Sequence, residues 1–264
     1  MSFSRHLAAI FVAAAALVAP LAPAAQAQDR NMVIFGDSVI SDPNMGQWAA
    51  GKLGLDPRGR SDNGTWCPTS PTNWGKRSAA KLGLAARDYS CTGVVTISKG
   101  PGFFQQVDRA IADRGLSPAT ARVIISAGFN DTYNNNSRPD GDIRRDFTRY
   151  MVPQINRIRA AAPNARIQIV GYPKITAGDR VCLFHIAPNV ADATRLVEAQ
   201  RWENLAQWMQ VDAARAAGVE FLDLKPSTWH NNMCAPDNKR MWAGLVDFYG
   251  CLLYTSPSPR DGLL

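Results

Sequence analysis

Apolar residues along this chain recur with two different periods. Short strand-like runs at 31–35, 87–91, 122–127, 167–170 and 219–224 are long enough for buried strands and too short for helices. Between them the apolar spacing changes to threes and fours. It predicts a helix over 73–82, a second from Phe103 with Phe104, Val107 and Ile111 on one face, and a third marked by Phe147, Tyr150, Met151, Ile155 and Ile158. Pro153 should kink or restart that third helix. A longer helix is expected over about 189–217, where Trp202, Leu205, Met209 and Ala213 form a core stripe before Gly218 stops it. Strand and helix alternation of this kind implies right-handed crossovers and a parallel sheet covered on both faces. The expectation is one three-layer α/β/α domain built on a five-stranded parallel sheet.

The polar residues that interrupt this pattern fall at strand ends. Residues 32–35 stop at Gly36-Asp37-Ser38, the second run leads into Cys91-Thr92-Gly93, and the third is followed by Gly128-Phe129-Asn130-Asp131. Parallel strands bring their carboxyl ends to one edge, where open α/β sheets bind ligands. Attack by a serine needs a hydroxyl and donors aimed at the oxyanion that develops. Ser38 supplies the hydroxyl; the backbone N–H groups of Ser38 and Gly93 and the side-chain amide of Asn130 supply the donors. Residues 39–78, rich in Gly, Pro, Asn and Ser with one helical stretch at 47–52, are long enough to line a site, as is the polar 131–142 segment.

In this order, and each at a strand end, the three motifs resemble the SGNH (GDSL-type) hydrolase family over nearly the whole chain. Phe35-Gly36-Asp37-Ser38 matches its first block, Tyr89-Ser90-Cys91-Thr92-Gly93 its Gly block, and Gly128-Phe129-Asn130-Asp131 its Gly-x-Asn-Asp block. Cys67, Trp74, Cys91 and the stretch 230–242 resemble the secreted, disulfide-bonded bacterial branch. The resemblance implies a flavodoxin-like sheet, Ser38 as nucleophile, and Ser38, Gly93 and Asn130 as the oxyanion hole, acting on carboxylic esters through an acyl-enzyme. No metal or cofactor is implied, and the chain has no His-Glu-x-x-His, Cys-x-x-Cys, Gly-x-Gly-x-x-Gly or Gly-x-Ser-x-Gly sequence. A small-molecule ester, a lipid or an acylated glycan is the expected substrate. Transfer of an acyl group to or from a polysaccharide would use the same site. A non-catalytic protein binding an envelope polymer or carbohydrate on this fold is the alternative from another class.

Length and composition agree with a globular, exported domain. The 264 residues, 46% hydrophobic, can fill a core. Residues 1–27 read as a leader: Arg5 and His6 precede an apolar stretch at 7–19, and Ala25-Gln26-Ala27 is a small-x-small cleavage site, so cleavage after Ala27 and a secreted or periplasmic location are expected. The apolar stretch is shorter than the ~20 residues of a membrane span. A formal charge of +7 fits an anionic partner as well as an ordinary solvated surface. The basic residues are scattered, with no aromatic-interleaved patch of the kind that tracks a nucleic-acid strand. A monomer is expected.

The family's general base, a His in an Asp-x-x-His arrangement after the fifth strand, is the block with no match. His185 is flanked by apolar residues, and His230 lies in a stretch resembling one that precedes the catalytic His. Residues 251–261, Cys-Leu-Leu-Tyr-Thr-Ser-Pro-Ser-Pro-Arg-Asp, resemble a translated sequencing adapter where that block should stand. The organisation expected is thus a leader at 1–27, a hydrolase domain at 28–250 that lacks its C-terminal end, and an artefactual tail at 251–264, with impaired turnover. Without Cys251 the four remaining cysteines can pair in three ways. Chain proximity and the family pattern favour Cys67 with Cys91 and Cys182 with Cys234.

Overall fold

The computed structural model describes residues 30–43, 53, 67–244 and the backbone of 246–247. The leader expected at 1–27, the helix expected at 47–52 and the tail expected at 251–264 lie outside the described residues. Five parallel strands form the central sheet: β1 (Asn31–Gly36), β2 (Ala85–Asp88), β3 (Thr120–Ser126), β4 (Arg166–Val170) and the later strand β9 (Glu220–Leu222). Their order is β2-β1-β3-β4-β9. All six residues of β1 are buried, because it has a neighbour on each side and helices on each face.

Alternation along β1 divides the core in two. Val33 and Phe35 face a cluster built with α3 (Phe103–Ala112), α5 (Asp140–Ala161) and α6 (Val197–Ala217), through Phe103, Val107, Phe147, Met151 and Met209. Met32 and Ile34 face a smaller cluster with Ile40 of α1 (Ser38–Ser41) and Ala79 of α2 (Trp74–Lys81). Burial of each such side chain contributes roughly 1.5 to 3 kcal/mol. A short helix, α4 (Phe129–Asn134), follows β3. The three-layer α/β/α architecture is therefore the one expected.

Several boundaries differ from the sequence reading, each for a physical reason. β2 lies at 85–88 rather than 87–91. It is an exposed edge strand, so its side chains carry no burial pattern. The backbone nonetheless stays beside β1, with Tyr89 N donating to Ile34 O and Cys91 N to Gly36 O. On α3 the buried face is Phe103, Gln106, Val107 and Ala110, and Phe104 and Ile111 are exposed, so the apolar stripe is rotated from the expected one. The helix α5 runs through Pro153 without a restart, since Pro153 lies on its solvent side where water can take the freed carbonyl. Tyr150 is likewise exposed.

The long helix begins at Val197, not near 189. Asn189 and Ala193 adopt φ of 56° and 50°, which a helix cannot contain. The segment instead forms β5 (Arg180–Val181), β6 (Phe184–Ala187), β7 (Val190–Ala191) and β8 (Thr194–Arg195), with Asp192 accepting from Leu183 N and Phe184 N. Trp202 is only partly buried, while Leu205, Met209 and Ala213 carry the core stripe. The fifth sheet strand ends at Leu222, and Asp223 accepts from Lys225 N at the start of a one-turn helix, α7 (Lys225–Thr228). A last pair of residues, β10 (Val246–Asp247), lies parallel to β6.

Candidate active site

β1 and β3 are neighbours, yet the chain leaves β1 for β2 on one side and reaches β3 on the other. Their carboxyl ends therefore flank the switch point of the sheet, where a crevice forms. Ser38 follows β1, and Gly128 to Asp131 follow β3.

Gly36 makes the turn after β1 possible. A Cβ on it would stand 2.2 Å from Ser126 O and 2.6 Å from Ile40 Cγ2, so no larger residue fits between β1 and β3. Gln106 of α3 holds both backbone groups of the same residue: Gly36 N donates to Gln106 Oε1 at 3.0 Å and Gln106 Nε2 donates to Gly36 O at 2.7 Å. Asp37 N donates to Ser126 O at 3.0 Å. The Asp37 carboxylate then accepts from Val39 N at 3.1 Å and from Tyr172 Oη at 2.5 Å, and so fixes the start of α1 and Ser38 with it. Tyr172 Oη accepts in turn from Phe129 N at 3.0 Å, which joins the β1 and β3 turns.

Burial dominates the electrostatics here. It pushes the Asp37 carboxyl up to about 6 against the opposing hydrogen bonds from Tyr172 and Val39, and the nearby charge of Asp131 acts in the same direction as burial. Burial and the charge of Asp37 hold the Tyr172 phenol well above its ordinary value. The partly buried Ser38 is the first residue of α1. Among the described residues no hydrogen bond joins its hydroxyl to a histidine.

The other two turns meet this one. Gly93 has a φ of +81°, in the left-handed region that favours glycine, and a Cβ there would point into open space. Its turn is tied down by a disulfide, Cys67 to Cys91, and by Ser41 Oγ and Thr92 Oγ1 at 3.3 Å. Asn130, 8% exposed, donates from Nδ2 to Val94 O at 2.8 Å, and its Oδ1 accepts from Tyr133 Oη at 2.6 Å. Asp131, fully buried, accepts from Thr96 N, Ile97 N, Ser98 N and Ser98 Oγ, and so anchors the loop that leaves Gly93. The structure thus brings Ser38, Gly93 and Asn130 to one edge.

A chain-wide comparison matches the model of the GDSL-like Lipase/Acylhydrolase family over residues 34–252. The chain belongs to the GDSL-like lipase/acylhydrolase family. Among solved structures, this GDSL-type chain is similar to phospholipase A1 from Streptomyces albidoflavus NA297, at 16% identity and a TM-score of 0.48, covering 78% of this chain and 84% of that one. The extracellular lipase of Streptomyces rimosus gives 16% and 0.48 over 78% and 86%. Est24, a carbohydrate acetylesterase from Sinorhizobium meliloti, gives 16% and 0.46 over 74% and 83%. No curated protein matches the chain.

Both expected disulfides are present, the second joining Cys182 to Cys234. The two histidines read from the sequence stand apart in character. His185 in β6 is buried, with Nε2 donating to Cys182 O at 3.1 Å, whereas His230 is exposed in the turn after α7. No described helix is long and apolar enough to cross a membrane. Sequence reasoning did not single out Gln106, Tyr133 or Tyr172. Tyr172 was detectable by the same rule that flagged the three motifs, since Gly171-Tyr172-Pro173 ends β4.

Proposed function

We propose that this GDSL-type hydrolase acts on carboxylic esters with Ser38 as nucleophile. Ser38 Oγ attacks the carbonyl carbon and the carbonyl electron pair moves onto oxygen. The N–H groups of Ser38 and Gly93 and the Asn130 amide receive that oxyanion. Collapse breaks the bond to the alcohol, which leaves with the proton that Ser38 gave up, and water then hydrolyses the acyl-enzyme. The single observation that carries the reading is the junction of the three turns around Ser38, held by the Asp37 to Tyr172 to Phe129 chain and by Asn130 on Val94 O.

Proton transfer needs a general base. Neither His185 nor His230 hydrogen-bonds Ser38, so the proposal gives that role to no described residue and holds the turnover of this chain to be weak. Export is part of the same proposal, supported by the leader-like 1–27 and by two disulfides, which persist in oxidising compartments.

Hydrolysis of a short-chain aryl ester tests the reading. The expected result is slow release that disappears in Ser38→Ala and falls by about 10² in Asn130→Ala. Equal rates in Ser38→Ala and the parent would instead favour the non-catalytic binding protein.

A further inference from the structure

Tyr133 stands three residues after Asn130 on α4, so the two side chains share a face of the helix. The amide of Asn130 has one acceptor and two donor hydrogens. Its Oδ1 takes the Tyr133 hydroxyl and one Nδ2 hydrogen goes to Val94 O. The second Nδ2 hydrogen has no partner among the described residues. Turning the amide over would set Oδ1 against Val94 O, two acceptors facing each other, so the contact with Val94 fixes the orientation in which Tyr133 Oη donates to Oδ1.

We propose that Tyr133 is a positioning residue for the oxyanion donor: by donating to Asn130 Oδ1 it fixes the amide plane and polarises the free Nδ2–H toward the site. This rests on the reading of Asn130 as an oxyanion donor. The physical basis is that an amide whose oxygen accepts a hydrogen bond becomes a stronger donor at nitrogen. Such a bond is worth most when it needs no reorganisation as charge develops.

The surroundings of Tyr133 suit this task and little else on its own helix requires it. Tyr133 is 41% exposed, so it is not a core residue. It is held edge-to-face between Phe129, at 6.2 Å, and Trp202 of α6, at 6.0 Å. Trp202 is itself fixed by Nε1 donating to Asn136 Oδ1 at 2.9 Å. Ring and hydroxyl are therefore braced from two elements while the phenol faces Asn130. Burial, with the charges of Asp37 and Asp131, raises the Tyr133 phenol above its ordinary value, so the hydroxyl keeps its proton throughout the range in which an ester hydrolase works.

Tyr133→Phe keeps the ring and removes only the donor. The test is the rate at which a fluorophosphonate modifies Ser38, followed by intact mass. In that reaction a phosphorus–oxygen bond forms at Ser38 Oγ and fluoride leaves, with the serine proton passing to solvent. The expected result is a maximal rate about fivefold to tenfold lower in Tyr133→Phe, with half-saturation unchanged. In an Asn130→Ala background the same substitution should change the rate less than twofold, because the bond it removes is already gone.

A purely structural role would slow labelling in both backgrounds, and that result overturns the proposal, as does a wild-type rate in Tyr133→Phe alone. A wild-type rate in Asn130→Ala, or no modification of Ser38 in the parent chain, overturns the oxyanion reading as well. Independently of labelling, the Asn130 Nδ2 proton resonances should move upfield in Tyr133→Phe, and unchanged resonances contradict the proposal.

Discussion

The two sides of the crevice are built differently. On the nucleophile side, Ser38 follows a fully buried strand, and its turn is held by a backbone hydrogen bond to Ser126, buried hydrogen bonds to the Gln106 side chain and the Asp37 to Tyr172 pair. The neighbouring side, formed by residues 174–196 beyond Tyr172 and by the segment after β9, has only short strands and is fastened by other means. The Cys182 to Cys234 disulfide joins its two parts. Lys174, 6% exposed, pairs with the buried Glu203 of α6 at 2.8 Å, while Thr176 also donates to that carboxylate. Lys174 N donates to Thr228 Oγ1, and Trp242 Nε1 donates to Lys174 O, so this one residue links β4, α6 and the C-terminal segment. The lesson is that the nucleophile depends on the core of the sheet, whereas the neighbouring side depends on a few covalent and ionic fasteners that can be removed singly.

The largest effect is expected at the buried ion pair. Glu203→Ala leaves the Lys174 ammonium without its partner and should destabilise the protein by about 3 to 5 kcal/mol, read from urea unfolding. Replacing both residues with apolar ones of similar size should recover only part of that loss, because Ile175 N, Thr176 N and Thr176 Oγ1 still lose their acceptor; full recovery would mean the network holds this side by charge alone. Next is the disulfide. Changing Cys182 and Cys234 together to Ala should cost about 2 to 4 kcal/mol. Hydrogen exchange should rise in 180–196 and 229–242 and stay low in β1 and β3; an equal rise in β1 would erase the contrast between the two sides.

A smaller effect comes from Asp37 on the nucleophile side. Its carboxyl sits at about 6 in the folded protein against an ordinary 3.8. The native state therefore keeps a proton that the unfolded chain has released, and stability falls as pH rises through that interval, by on the order of 2 kcal/mol. Asp37→Asn should flatten this slope, whereas Tyr172→Phe, which removes a bond to the ionised form, should extend the fall to higher pH. A stability curve that rises over the same interval would contradict the assignment. The smallest effect is expected at Gly93. An added methyl would enter open space, so Gly93→Ala should cost only the left-handed backbone penalty of about 1 to 2 kcal/mol in thermal unfolding.

The same contrast explains what could be read from the sequence. Residues 32–35 and 123–125 are apolar because they lie in central strands, and burial writes such strands plainly into composition. The motifs around Ser38 and Asn130 were legible for the same reason, whereas the one around Gly93 follows an exposed edge strand and was legible from its Cys-Thr-Gly turn. The neighbouring side was not: residues 189–196 read as part of a helix, and only the positive φ of Asn189 and Ala193 reveals the hairpin-like turns. Lys174 and Glu203 are buried charges far apart in sequence, and nothing local announces their pairing. Gln106 was hidden because a buried polar residue on a helix interrupts the apolar stripe rather than marking it. The contact between Tyr133 and Asn130 lies at helical spacing, but its meaning depends on Val94, which only the fold brings near.

The account stands or falls on Ser38 as the nucleophile. Treating the intact chain with a serine-reactive fluorophosphonate and mapping the adduct by peptide mass spectrometry tests this most directly. The predicted result is one adduct, on the peptide carrying Ser38, lost in Ser38→Ala and slowed in Asn130→Ala. An adduct on another residue, or labelling that persists in Ser38→Ala, would contradict it.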